Sequence, residues 1–424
     1  MNILLASSSG DGGWFVYVLI HEGHKVTWTI GRDKYREVLA GLIPPPLEGS
    51  VENPESFDLI VFDTTGHGEA ADSVRAVTPV IGDSVFADKL EHDRIFGVEF
   101  MERCHIPVPR WEAFDDPADG IRWIRKYKSR SVFKPCGNRD DCSLTYVAKS
   151  AEDMERYLEV LFNHTRIHQF ILQEFVAGTE VSTEAWFNGE EFYALNHTLE
   201  EKKFMAGGVG PNTGCSGNVV WMPVRPTPLF EQGVGRTKRE LQQANYVGPL
   251  DLNTIVTDGN LFGLEFTPRI GYEGTCNLTR LLPMNFGEFL HAIAASESPV
   301  LGVAKHNFAA TIRVTVPPYP NPAIPGKYEG IPVNGIDLRK IDEFYLSDVR
   351  IRQGSEEQLE TLGMDGLIGA PIGVSETMKG AFEEVKRVIG GLLIPDLQWR
   401  VDVPRRCEER YEALLRGGWL RRLG

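Results

Sequence analysis

Two rhythms of apolar and polar positions alternate along the chain. Asn2-Ile3-Leu4-Leu5-Ala6 is a short apolar run, residues 7–13 are rich in Ser and Gly, and residues 14–20 form an apolar helix closed by Glu22-Gly23-His24. Residues 25–30 and 58–62 read as further strands, and residues 78–86 as a fourth. Strand, glycine turn, helix and strand open a parallel α/β sheet, so residues 1–90 predict a small doubly wound domain.

Residues 93–104 predict a helix with Ile95, Phe96, Val98, Phe100 and Met101 as its apolar positions, ended by Pro107 and Pro109. Beyond it, residues 131–134, 170–173 and 180–187 read as strands and residues 151–162 as a helix. Residues 205–218 hold five glycines in fourteen positions and predict a long functional loop. Residues 252–256 and 261–266 are two strands, and Thr257-Asp258-Gly259-Asn260 between them is a hairpin signal. After Leu301 the composition shifts. Residues 307–316 alternate like one strand, residues 317–325 form a proline-rich loop, and residues 375–390 a helix. The expected division is therefore 1–90, 91–300 and 301–424, the last a small C-terminal α+β domain.

Composition narrows the function. The 424 residues carry 44 Lys+Arg against 59 Asp+Glu, a net charge of −15, which argues against nucleic-acid or anionic-membrane partners. No apolar run reaches the ~18 residues of a membrane span. The N-terminal stretch lacks the basic and apolar regions of a leader. The six cysteines form no C-x-x-C pair, which fits a reducing cytoplasm better than zinc or redox chemistry. The pairs His21/His24 and His164/His168 have helical spacing but no third ligand in view, so surface and capping roles are expected.

Three features carry candidate chemistry. Lys134 ends a strand before a flexible loop, where it can neutralise phosphate oxygens or simply snorkel. Gln173-Glu174-Phe175-Val176 leads into a short connection whose backbone can meet a base edge, and Glu180 could accept ribose hydroxyls. Glu265 stands in an apolar strand, and on strict alternation shares its face with Leu261 and Gly263. A carboxylate there needs a partner or a metal. Arg269 could pair with it or stabilise an anionic intermediate.

In this order the three features resemble the ATP-grasp superfamily, in which two α+β subdomains clamp ATP. Gly210-Pro211-Asn212-Thr213-Gly214 matches the G-P-N-T-G segment of the phosphoribosylamine–glycine ligase family. Residues 246–271 resemble its Y-x-G…D-G…E-F-N-x-R-x-G segment, and residues 90–96 with Ile106-Pro107 resemble its L-E-G-S-K-A-F…I-P helix. The resemblance implies an ATP-grasp fold behind a doubly wound domain. It also implies an ADP-forming carboxylate–amine ligase acting through an acyl phosphate. Carried over by position, Arg94, Lys134, Gln173, Glu174, Phe175, Val176 and Glu180 would hold ATP, and Lys134 and Arg269 would be catalytic. Glu265, Thr267 and Asn253 would hold magnesium, with manganese as the alternative ion. Residues Gly210, Pro211, Asn212, Thr213, Gly214, Gly12, Gly13, Arg269 and Gly271 would meet the small-molecule substrates, an amino acid and an amine. A cytoplasmic monomer or homodimer is implied.

The sequence departs from that family where substrates and metal bind. The family's G-x-G-G-R-E-H loop, which holds the amino sugar phosphate, reads Ser8-Ser9-Gly10-Asp11-Gly12-Gly13-Trp14. A lysine is replaced by Arg94 and a metal-binding asparagine by Thr267, and the acid of the run after Arg269 has moved or gone. The ATP lid reads Gly137-Asn138-Arg139-Asp140-Asp141-Cys142, unusually acidic. Asp251 and Asn253, two apart on one strand, would face the same side and could supply replacement metal ligands. These changes predict altered substrates. The competing expectation is a non-catalytic nucleotide-binding relative. A dinucleotide oxidoreductase is disfavoured, because Gly10-Asp11-Gly12-Gly13 lacks the G-x-G-x-x-G spacing.

Overall fold

A computed structural model describes residues 1–47, 53–136, 145–164, 169–321 and 327–421. The lid segment 137–142 and the side chains of His164 and His168 lie outside the described residues, as do residues 322–325 of the proline-rich loop.

The chain opens with β1 (Asn2–Ser7), α1 (Gly13–His21), β2 (Lys25–Ile30), β3 (Leu59–Phe62), α2 (Gly68–Arg75) and β4 (Val80–Ile81). The strands pair in the order β2-β1-β3-β4, all parallel, as the doubly wound reading requires. Trp14, Phe15 and Trp28 are buried against this sheet. The fourth strand is far shorter than residues 78–86. Gly82 turns the chain at φ +101°, and the Ser84 hydroxyl accepts the Ala87 N–H at 3.0 Å, so α3 (Val85–His92) starts where strand was expected. Asp93 then caps α4 (Arg94–Arg103), accepting from Phe96 N–H at 3.0 Å.

A second sheet is built from β5 (Trp111–Phe114), α5 (Pro117–Tyr127), β6 (Ser131–Cys136), β7 (Tyr146–Val147), α6 (Ala151–His164) and β8 (Gln169–Glu174). Its antiparallel order is β5-β8-β6-β7, and Trp123, Phe133, Leu158 and Phe170 form a core of its own with the two helices.

The largest sheet begins with β9 (Thr179–Phe187), β10 (Phe192–Met205) and β11 (Val209–Trp221). Helices α7 (Pro228–Gln232) and α8 (Lys238–Gln243) lead to the hairpin of β12 (Gly248–Val256) and β13 (Leu261–Thr267). Helices α9 (Tyr272–Leu281) and α10 (Phe286–Ala294) follow, then β14 (Phe308–Ile312), β15 (Val314–Thr315), β16 (Pro332–Val333), β17 (Phe344–Leu346), β18 (Val349–Ile351) and β19 (Leu359–Thr361). The chain ends with β20 (Leu367–Ser375), α11 (Met378–Gly391), β21 (Gln398–Trp399) and α12 (Val403–Arg416). Strand order is β13-β12-β9-β10-β11-β14-β20-β15-β21, with β17 also on β20. Strands β16, β19 and β18 make a separate small sheet.

Two sequence expectations are corrected here. Residues 205–218 are not a long loop: only 206–208 turn, and the glycines sit in or beside a long twisted hairpin. Gly207 and Gly208 take positive φ at its tip. Gly210 and Gly214, also at positive φ, accommodate register shifts between Glu201 and Met205. Glycine density marked irregular strand, not absence of strand. Residues 307–316 form two strands rather than one, because the chain breaks at Arg313, whose N–H bonds Ser216 O at 3.1 Å. Helix α12 covers the back of the large sheet. There Glu201 is held by Arg400 (2.5 Å), Arg406 (2.8 Å) and Arg410 (2.9 Å).

Candidate active site

Alternation puts one polar stripe on the front of the large sheet. Register sets Glu184 beside Asp251 and Asn196, Asp251 beside Thr267, Ser182 beside Asn253 and Thr198, and Asn253 beside Glu265. Together with α4, β8 and the first turn of the chain, this face lines a cavity of about 940 Å³.

Glu265 reaches this face through a bulge. Asn253 pairs with Glu265 and Thr254 with Gly263, leaving Leu264 without a partner on β12. Strict alternation had grouped Glu265 with Leu261 and Gly263; the bulge moves it to the polar side. It also frees the Leu264 carbonyl, which accepts the Lys134 ammonium at 3.1 Å. Gly263 is needed on the other face, where an added Cβ would lie 2.4 Å from Met101 Sδ of α4. That close packing brings Arg94, at the start of α4, within 3.4 Å of Glu265.

Three cations surround this carboxylate: Arg94, Lys134 and Lys202, the last 3.9 Å away. Burial would raise the Glu265 pKa, but Lys202, Lys134 and Arg94 outweigh it and hold the group at about 2. Lys134 is 8% exposed, and burial lowers it to about 8 despite Glu265. Burial acts on Lys202 in the same sense, yet Glu180, Glu265 and Glu200 raise it overall. Lys202 also bonds Glu180 at 2.8 Å, and Glu180 accepts the Asn253 amide at 2.8 Å. On the β8 side, Gln173 is buried beside the cavity with its amide nitrogen unpartnered.

The far end of the cavity is built by α9, β11 and the first turn. Arg269 bonds Glu91 at 3.0 Å, not Glu265, and Glu91 also accepts Thr65 Oγ1 at 2.8 Å. Arg313, at the break between β14 and β15, donates to Glu273, to Thr213 O (2.9 Å) and to Tyr319 Oη (2.7 Å). It thereby fixes the Gly210–Gly214 segment to α9. Glu273, four residues after Arg269 in sequence, is buried.

Residues 92–273 match the family described as phosphoribosylglycinamide synthetase, ATP-grasp (A) domain. The chain has the ATP-grasp fold. A phosphoribosylamine–glycine ligase from Methanocella arvoryzae is 23% identical over 321 residues, covering 72% of this chain and 70% of that protein. The first three such ligases are matched over 58% to 70% of their lengths. In fold, the crystal structure of phosphoribosylamine–glycine ligase from Thermotoga maritima superposes with a TM-score of 0.73 at 20% identity, over 94% of this chain and 99% of that one. The biotin carboxylase domain of Hydrogenobacter thermophilus 2-oxoglutarate carboxylase, a complex with magnesium ADP, gives 0.64 at 12% identity, over 98% and 95%.

The cavity takes in Arg94, Lys134, Gln173, Glu265, Thr267 and Arg269, together with Asn212, Thr213, Gly214 and Gly271. It does not take in Glu174, Phe175, Val176, Glu180, Asn253, Gly210, Pro211, Gly12 or Gly13 as lining residues. Glu180 and Asn253 are bonded to one another and meet the lining through Lys202 and Glu265. Gly12 lies under the first turn, where an added Cβ would come 2.3 Å from Asp63 Oδ2. Sequence reasoning missed Lys202, Glu91 and the Arg313–Glu273 pair. The alternation Asn196, Thr198, Glu200, Lys202 carries a signal for the first; the others meet across long sequence separations and leave none. His197 is structural, held between Thr183 and Thr227 at 2.9 Å each. Burial lowers it to about 3. His21 bonds Tyr17 O at 3.0 Å near the end of α1, as a capping role expects, whereas the His24 side chain is buried 3.8 Å from Glu22. Among the described residues, Cys104, Cys136, Cys215, Cys276 and Cys407 are buried and form no disulfide, and no helix is long and apolar enough to cross a membrane.

Proposed function

We propose that the protein is an ATP-dependent carboxylate–amine ligase of the phosphoribosylamine–glycine ligase type. It joins an amino-acid carboxylate to an amine and releases ADP and phosphate. The observation that carries this reading is the grouping of Glu265 with Lys134, Arg94 and Lys202 beside the unpartnered Gln173 amide. One carboxylate among three cations, next to a free hydrogen-bonding edge, suits a nucleotide whose polyphosphate lies over the cations and whose base meets Gln173. A location in the cytoplasm fits buried cysteines that form no disulfide among the described residues.

Magnesium fits the donor set. Glu265, Thr267 and Asn253 offer oxygen to a hard cation, and Asp251 stands on the adjoining rung. Among the described residues no three His, Cys, Asp or Glu side chains converge. That suits an ion held by one or two carboxylates plus phosphate oxygens and water. When bound, the ion would screen the phosphates and polarise the transferred group.

The chain's own residues position and neutralise. Lys134 and Arg94 draw off charge from the phosphates, while Lys202 keeps Glu180 and Glu265 from repelling each other. The carboxylate of the amino acid attacks the terminal phosphate, and the amine then displaces phosphate from the acyl phosphate. Arg269, braced by Glu91, faces the charge that develops there. The test is Glu265→Gln. Turnover is expected to fall by about two to three orders of magnitude with ATP binding retained, as for loss of an electrostatic group at a reacting centre. Unchanged turnover would contradict the metal role. Nucleotide binding by the wild-type protein without ADP release under any substrate pair would favour the non-catalytic relative.

A further inference from the structure

The first strand of the parallel sheet leads into a hydroxyl held by an imidazole. Ser8, the residue after β1, has its Oγ 2.6 Å from Nε2 of His67, the residue that precedes α2. Ser8 lines the cavity and His67 does not, so the hydroxyl is the member of the pair that meets the cavity. The two residues are 59 apart in sequence and come together only because β1 and β3 are neighbours in the sheet.

The surroundings set the imidazole in place. The His67 N–H donates to Asp83 Oδ2 at 2.5 Å, and the N–H groups of Gly66 and Gly68 both donate to Asp88, the latter at 2.9 Å. The backbone on either side of the ring is thereby fixed. The ring centroid lies 6.0 Å from that of Phe62. Although His67 is the N-cap of α2, its side chain makes no capping bond, and Nε2 meets Ser8 instead. Ser8 itself stands between a strand end and a helix start, because residues 10–12 form one 3-10 turn and α1 follows for nine residues. Nucleophilic acyl transfer needs a hydroxyl, a base in contact with it and N–H donors for the oxyanion. A serine on a strand-to-helix turn obtains the donors from the residues that follow it, at the positive end of the helix.

We propose that Ser8, with His67 as its base, is an acyl-accepting nucleophile, and that the protein cleaves small carboxylic esters without nucleotide. Ser8 Oγ attacks the ester carbon as its proton passes to His67 Nε2. The bond from that carbon to the leaving oxygen then breaks, and the leaving oxygen takes the proton from the imidazolium. Water, deprotonated by His67 in its turn, releases the acid and restores the serine. The N–H groups of Ser9 and Gly10 are the donors to the charge on each intermediate. No step uses Glu265, Lys134, Arg269 or ATP, so the proposal stands apart from the ligase reading. A purely structural tie between the first turn and α2 would show the same contact, and reactivity separates the two.

The probes are p-nitrophenyl acetate and diisopropyl fluorophosphate, each added to the wild-type protein without nucleotide. The expected results are a burst of about one p-nitrophenolate per chain and a phosphoryl adduct that peptide mass spectrometry maps to Ser8. Ser8→Ala should abolish both. His67→Gln keeps a hydrogen-bonding side chain but not the base, and should slow adduct formation at least about a hundredfold. Binding of a fluorescent ATP analogue by both variants, equal to that of the wild type, shows that they are folded. An unmodified Ser8 in the wild-type protein, an adduct on another residue only, or labelling of Ser8 at an unchanged rate in His67→Gln would overturn the proposal. The mapping on the wild-type protein decides the matter even if a variant does not fold. Failure of this test leaves the ligase reading untouched, since ADP release is measured separately.

Discussion

The Lys202 ammonium lies 2.8 Å from Glu180 and 3.9 Å from Glu265, so one side chain of β10 ties together carboxylates from β9 and β13. Both acids are held low by their cationic neighbours although burial would raise them. Replacing Lys202 with Met leaves two carboxylates facing one another beside Lys134 and Arg94. Affinity for a fluorescent ATP analogue should fall at least about tenfold, the scale of one lost charge-assisted contact, while Lys202→Arg retains part of it. Equal affinity in all three proteins would show that Lys202 has only a structural role.

Asp63 predicts a pH dependence of stability. Burial raises it from 3.8 to about 7, with Ser7 opposing and Asp11 adding to the shift. Between those values the folded state binds more protons than the unfolded state, so stability falls as pH rises from about 4 to 7. Asp63→Asn should flatten that part of the curve and raise the melting temperature at pH 8, a gain of up to ~4 kcal/mol at 1.36 kcal/mol per unit. Asp348, raised to about 6, and Asp83, raised to about 7, keep some slope in the variant. Melting curves of the two proteins from pH 5 to 8 test this. A parallel pair of curves would contradict it.

Arg313 and Glu273 form a pair whose side chains are 15% and 6% exposed. Removing the cation alone, in Arg313→Met, strands a buried carboxylate and should cost ~3–5 kcal/mol. Removing both, in Arg313→Met with Glu273→Leu, should recover much of that. The double variant should nonetheless bind substrate poorly, because Arg313 also holds Thr213 O. Chemical denaturation of the three variants gives the comparison, and a double variant no more stable than Arg313→Met would refute the coupling.

Two glycines at similar φ separate backbone strain from steric clash. Gly82 (φ +101°) and Gly259 (φ +100°) share the conformation, but a Cβ on Gly82 meets Phe62 O at 2.1 Å, while one on Gly259 meets nothing within 4 Å. Gly259→Ala should cost only the ~1 kcal/mol of a left-handed alanine. Gly82→Ala must move β3 against β4 and should abolish soluble expression or lower the melting temperature far more. Similar melting temperatures for the two would sink the steric account.

Much of this was legible in the sequence because local pattern and long-range pairing agreed. Residues 25–30 alternate around a buried Trp28 and form β2 with those bounds. Thr257-Asp258-Gly259-Asn260 gave the turn of the β12–β13 hairpin. The errors share one cause. Glycines at 207, 208, 210 and 214 suggested a loop, but they serve the twist and register shifts of a hairpin set by strands pairing on both sides. The bulge at Leu264 is likewise invisible to a period-two reading, since only the pairing with β12 shows the extra residue. Pairings such as Arg269 with Glu91, 178 residues apart, have no local signature.

The central claim is that this cavity couples ATP cleavage to amide formation. Its most direct test is ADP release with ATP, magnesium and a panel of amino acids, with and without amine partners that include phosphoribosylamine generated in place. The account predicts ADP release that requires both an amino acid and an amine and that is lost in Glu265→Gln. Absence of release with every pair, in a protein that binds ATP, would contradict it.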